Sequence, residues 1–145
     1  MKIKGYDKLI RDLQKLGAKG HDVVEQATAK AAANIELKAK QYAPVNKNPN
    51  ITGGDLRQSI KALPLGDLTY LIVATQKYAP YQEYGTGGLV TVDPEMYENA
   101  IQFKGKGIRQ VNIPPQPFLY PAFVEGREFY IKELKTQLDK LTNGI

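Results

Sequence analysis

Ile60-Lys61-Ala62-Leu63-Pro64-Leu65-Gly66-Asp67-Leu68-Thr69-Tyr70-Leu71-Ile72-Val73-Ala74-Thr75 is the stretch on which the fold turns. Up to Ser59-Ile60 the apolar residues recur at helical spacing, and here the period changes. Ile60, Ala62 and Leu63 lead to Pro64, Gly66-Asp67 has turn chemistry, and Leu68 to Thr75 holds Tyr70, Leu71, Ile72 and Val73, the most apolar and β-prone run in the chain. The pattern predicts a β-hairpin. Because the second run is nearly continuous in apolar residues, it reads as an inner strand covered by helix rather than an edge.

Working outward toward the amino terminus, the segments are helical. Tyr6, Leu9, Ile10, Leu13 and Leu16 recur at helical spacing with charged residues between them, so residues 6 to 16 read as an amphipathic helix ended at Gly17. Asp22 is a cap for a second helix carrying Val23, Val24, Ala27, Ala31, Ile35 and Leu37 to Tyr42, stopped by Pro44. Its Ala-rich centre combines high helix propensity with little bulk and lets another element approach closely. Residues 43 to 54 are a loop by their Pro, Asn and Gly content, long enough to serve assembly or binding. Thr52 then stands ahead of Asp55, Leu56 and Arg57 as a cap for one or two helical turns.

Toward the carboxy terminus, Tyr78 to Gly88 is a tight aromatic segment ending in Gly85, Gly87 and Gly88. Between 89 and 113, Val90 to Val92 is a candidate strand, Asp93-Pro94-Glu95 a turn or short helix, and Ile108 to Ile113 alternates as an edge strand does. Lys104, Lys106 and Arg109 with Gly105 and Gly107 make a basic tip. Pro114, Pro115 and Pro117 end the strand reading, and Leu119 to Leu141 is a long helix with Pro121 in its first turn, where a missing N–H costs little. Its apolar stripe is Phe123, Val124, Tyr130, Ile131, Leu134, Leu138 and Leu141. These segments make one α+β domain over residues 1–145. It has amino-terminal helices, a small mainly antiparallel sheet and a long carboxy-terminal helix packed on one face.

Composition narrows the function. The 145 residues contain no Cys and one His, which leaves no thiol nucleophile, no cysteine zinc site and no two-His metal site. No apolar run approaches the roughly 18 residues of a membrane helix, and Met1 to Gly5 lacks the apolar core of a signal peptide, so the chain is expected to start in a cytoplasm. The formal net charge is +5. It divides into +5 over residues 1–50, −3 over 51–100 and +3 over 101–145. Basic ends around an acidic middle suit a subunit meeting a copy of itself with opposite patches facing, and also an approach to nucleic acid.

Among chemistry-bearing groups, Asp55 and Glu83 are the carboxylates in specially shaped segments, but nothing brings them together as an acid/base pair. Gly85-Thr86-Gly87-Gly88 lacks the Gly-Lys-Ser/Thr ending of a phosphate loop and reads as a turn. His21 reads as an exposed surface residue. Tyr78, Tyr81 and Tyr84, three apart, are candidates both for an interface and for closing the core. Lys104, Lys106 and Arg109 are the candidate nucleic-acid contact, or else a solvated tip. No catalytic, metal or cofactor site is expected.

In order along the chain come Ala43-Pro44-Val45, Thr52-Gly53 with Leu56-Arg57-Gln58-Ser59-Ile60, Tyr78 with Tyr81-Gln82-Glu83-Tyr84-Gly85-Thr86-Gly87, and Gln116-Pro117-Phe118-Leu119-Tyr120-Pro121-Ala122. This series resembles the tail-component or neck proteins of long-tailed bacteriophages, which read A-P-V, T-G-x-L-R-x-S-I, a hairpin, Y-x-x-x-x-E-F/Y-G-T, a variable insertion and Q-P-F-L-x-P-A before a closing helix. The resemblance implies a non-enzymatic virion protein at the head-to-tail junction, made in the host cytoplasm. It would be a ring subunit, a hexamer in the particle, around the DNA channel, with head-closure and tail proteins and non-specifically passing double-stranded DNA as partners. The residues expected to shape assembly are Thr52, Gly53, Arg57, Tyr78, Tyr81, Glu83, Tyr84, Gly85, Gln116 and Phe118, with 89–113 as the variable arm. An Arg57–Glu83 charge-assisted pair is expected to pin the aromatic turn to the short helix, and Gly85 to supply a positive φ. The alternative from another class is a small basic nucleic-acid-binding module.

Overall fold

The computed structural model describes residues 7, 10, 11, 17–46, 53–66, 68–86, 94–102 and 113–143. The elements run α1 (Ala18–Tyr42), α2 (Asp55–Ser59), β1 (Ile60–Gly66), β2 (Thr69–Ala74), α3 (Ala79–Tyr84), a 3-10 turn (Pro94–Met96) leading into α4 (Tyr97–Ile101), and α5 (Leu119–Asn143). The architecture is α+β. None of the described helices is long and apolar enough to cross a membrane. Of the first expected helix, Asp7, Ile10 and Arg11 are helical and the rest lies outside the described residues.

Two 25-residue helices form the frame. They run antiparallel, since Thr28 meets Tyr130, Lys30 meets Glu133 and Lys38 meets Glu125. The seam is closely packed because small residues line it. A Cβ on Gly126 would stand 2.0 Å from Cγ1 of Ile35, so only glycine admits α1 at that crossing. Ala27, Ala31 and Ala122 are buried along the same seam. The Ala-rich centre thus does what its lack of bulk predicts.

α1 begins four residues before the expected Asp22 cap. Gly17, at φ +78, breaks the chain direction, and its carbonyl accepts the Gly20 N–H at 3.0 Å to start the first turn. No side chain caps this end, and Asp22 instead lies exposed within the helix, beyond its first turn. α2 likewise begins after Gly54, in the left-handed region at φ +99, while Thr52 lies outside the described residues.

The expected hairpin forms, with Ile60 opposite Ala74, Ala62 opposite Ile72 and Leu63 opposite Leu71. The sheet has two strands among the described residues, and β2 is not covered on both faces as an inner strand was expected to be. Its apolar run covers the core with one face only, and Leu71 on the other face is 46% exposed. Pro64 within β1 fits this, since proline can sit in a strand only where no ladder donor is needed. α1 satisfies one strand N–H, with Glu36 Oε2 accepting Ala62 N–H at 2.8 Å while Oε1 accepts from Lys40.

One core cluster joins Ile35, Ala39, Ala43, Leu56, Ile60, Ala79, Phe118 and Ala122, with Ile72, Ala74, Leu119 and Phe123 closing over it. A second, further along the helix pair, holds Val24, Ala27, Ala31, Tyr130 and Leu134. Tyr130 keeps its hydroxyl satisfied there by Thr28 Oγ1 at 3.1 Å.

Candidate functional site

The aromatic segment is a short helix rather than a turn. Pro80 presets its first turn, and it ends at Gly85, whose N–H returns to Tyr81 O at 3.1 Å with φ +73. The positive φ is as expected. A second reason for glycine emerges from the fold: a Cβ at Gly85 would lie 2.7 Å from Ile113 O and 3.0 Å from Pro115 Cδ. Residues 82–86 therefore lie directly against residues 113–116. Gln116 N–H donates to Gln82 O at 2.7 Å, Thr86 N–H to Ile113 O at 3.0 Å, and Ile113 N–H to Thr86 Oγ1 at 2.9 Å.

At the centre of this junction is Glu83, 7% exposed and the one buried charged residue among those described. Its Oε2 accepts the N–H groups of Phe118 and Leu119 at 2.8 and 2.9 Å, and its Oε1 accepts that of Tyr120 at 2.8 Å. The first four N–H groups of any helix have no partner within it. In α5 these belong to Phe118, Leu119, Tyr120 and residue 121; Glu83 takes the first three, and residue 121 is proline, with none to satisfy. One carboxylate thus completes the cap at the positive end of a 25-residue helix, which offsets the cost of burying its charge.

The expected Arg57–Glu83 pair does not form. Arg57 is exposed on α2, and both oxygens of Glu83 are engaged by α5. The capping role was nevertheless foreshadowed. Pro117-Phe118-Leu119-Tyr120 offers no Ser, Thr, Asp or Asn to cap the helix that follows, so a distant acceptor was required.

The remaining candidate residues divide by role. Gly53 lets the loop ends meet, since a Cβ there would stand 2.7 Å from Asn46 O. Phe118 is 1% exposed, and Gln116 contributes its backbone N–H while lying exposed. Of the tyrosines, Tyr78 and Tyr81 face outward and Tyr84 is half-buried, where burial, with the Glu83 charge adding, pushes its hydroxyl pKa up. Thr52, Lys104, Lys106 and Arg109 lie outside the described residues. So do the candidate strand 90–92 and the edge strand apart from Ile113, whereas Pro94–Met96 and Tyr97–Ile101 realise the expected short helix.

A cavity of about 360 Å³ beside the clamp is lined by Val73, Pro80, Glu83, Tyr84, Asn99 and Gln102 among others. Glu83 faces it with both oxygens already engaged, and the other polar groups there are neutral amides and a phenol. That set offers no acid/base pair. For metals, His21, Asp22 and Glu25 bring ligand atoms within 4.8 Å of one another among the described residues, but all three are exposed neighbours on one helix.

A family model described as "Bacteriophage HK97-gp10, putative tail-component" matches residues 7–85, just over half of the chain and including Glu83 and Gly85. No curated protein and no solved structure matches. The chain belongs to the HK97-gp10-like family of bacteriophage tail components.

Proposed function

We propose that this tail component works at the head-to-tail junction, as one subunit of a ring through which the DNA passes, and that it catalyses nothing. Membership of a phage tail family gives the coarser part, a structural role associated with the virion. The finer part is supported chiefly by the clamp. The motif residues Gln82 to Thr86 and Gln116 to Tyr120 hold one another, and a subunit that bears load in a particle needs such fixed geometry. The charge distribution along the chain, basic ends around an acidic middle, suits like subunits meeting head to tail.

Its partners in this reading are copies of itself, six in the finished ring, and the head-closure and tail proteins on either side. Double-stranded DNA passes without sequence recognition, guided by Lys104, Lys106 and Arg109 of the 89–113 arm. The mass of the free protein, and of its complex with purified tails, tests the proposal. Several copies per tail are expected; a single copy, or none, overturns it. A salt-dependent DNA shift by the free protein that disappears in the Lys104→Ala/Lys106→Ala/Arg109→Ala variant, without any binding to tails, would establish a nucleic-acid-binding module instead.

A further inference from the structure

The hairpin has two apolar faces, and the fold uses one. Ile60, Ile72 and Ala74 pack toward the core. On the opposite face Leu63 and Leu71 stand directly across the strands from each other, and Leu65 follows in β1 at the irregularity between Pro64 and Gly66, where it has no partner in the ladder. They are 43%, 46% and 62% exposed. Exposed leucines scattered singly are ordinary, but a directly opposed pair with a third exposed leucine two residues along β1 is a cluster of the kind that marks a contact surface. Lys61 sits at the base of this face, opposite Val73, exposed and without an ion pair among the described residues.

A second patch lies on α4. Ala100, fully buried, anchors that helix, which turns Tyr97 and Ile101 outward one helical turn apart, 57% and 39% exposed. Glu98 flanks them, exposed and likewise without an ion pair among the described residues. One patch is apolar with a basic neighbour, the other apolar and aromatic with an acidic neighbour.

We infer that the outer hairpin face of one copy receives the Tyr97–Ile101 face of α4 from a second copy, with Lys61 meeting Glu98 across the contact. This deepens the ring reading and rests on it. A contact of each patch with itself would set Lys61 against Lys61 or Glu98 against Glu98. The unlike pairing removes both repulsions, and because the two patches differ, the contact repeats from copy to copy as a ring requires. A handful of side chains falls short of the roughly 800 Å² per partner of a standard stable interface, so a single contact is weak and closure of the ring adds to its strength.

Sedimentation over a wide concentration range tests this with the wild type, Leu63→Lys/Leu71→Lys and Tyr97→Lys/Ile101→Lys. The wild type is expected to associate in a concentration-dependent way. Each variant is expected to keep its circular dichroism and melting transition but to sediment as a monomer. Their equimolar mixture should stop at a dimer, since each retains one sound face. Because the chain has no cysteine, the variant K61C/E98C, at the two positions proposed to meet, supplies a check that does not disturb the leucine pair. On oxidation, free or on purified tails, it should give a ladder of covalent oligomers that neither single variant gives. A hairpin variant that associates like the wild type, or a K61C/E98C chain with no ladder, overturns the inference and leaves the ring reading standing. A wild type that is single both in solution and on tails overturns both. Variants that associate normally but no longer join tails assign the hairpin face to a different tail protein, which also overturns the inference.

Discussion

At Glu83 a single side chain joins two parts of the chain thirty-five residues apart, and its contribution is measurable. Glu83→Ala leaves the N–H groups of Phe118, Leu119 and Tyr120 without an acceptor, so a loss of roughly 2–4 kcal/mol is expected. Glu83→Gln, which keeps one acceptor oxygen, should lose less. Urea denaturation checks the order, and amide exchange should show the three N–H groups losing protection in Glu83→Ala first. A wild-type midpoint for Glu83→Ala would mean the clamp does not hold α5. Glu36 offers a second test at this scale. Its hydrogen bond from Lys40, with the Ala62 N–H adding and partial burial opposing, holds its carboxyl below the ordinary value of 4.5. A carboxylate depressed in the folded state contributes stability in full above its unfolded pKa, and that contribution falls away as pH drops through the folded value. Stability should therefore decline below about pH 4.5, and the decline should be shallower in Glu36→Gln when melting is followed from pH 6 to 3.

Among elements, the seam between α1 and α5 is the tightest contact. Gly126→Ala places a Cβ on the Ile35 side chain, and such overpacking is expected to cost about 1–3 kcal/mol by denaturant unfolding. Ile35→Ala opens room for that methyl group, so the double variant should lose less than the two single losses added together. Strict additivity would show that the helices part at this point instead of pressing on one another. The hairpin carries the opposite lesson. Its inward face packs Ile60, Ile72 and Ala74 toward the core, whereas its outward leucines have no cover among the described residues, and the self-association experiment asks what covers them.

For the whole molecule, the Glu83 clamp and the helix seam are closed by residues outside 102–107. Deleting residues 102–107 is therefore expected to leave the melting transition within a few degrees of the wild type and to lower the yield of joined particles. A normal particle yield from that deletion would remove the arm from the assembly reading. Conversely, a collapsed melting transition would place the arm within the core.

The residues themselves determine the α+β class, the hairpin, both long helices and the positive φ at Gly85, because periodicity, turn chemistry and backbone freedom act over a few neighbouring residues. The family was legible too, as short motifs in order along the chain. Tertiary structure alone decided the partners of long-range contacts. Glu83 reads equally well as a partner for Arg57 or for a helix end, and the choice depends on which donors the packed chain brings within hydrogen-bonding distance. Gly126 carries no signal until Ile35 lies across it, and the apolar run of β2 predicts burial on both faces because hydrophobicity records that a side chain avoids water, not which surface, its own or another chain's, shields it.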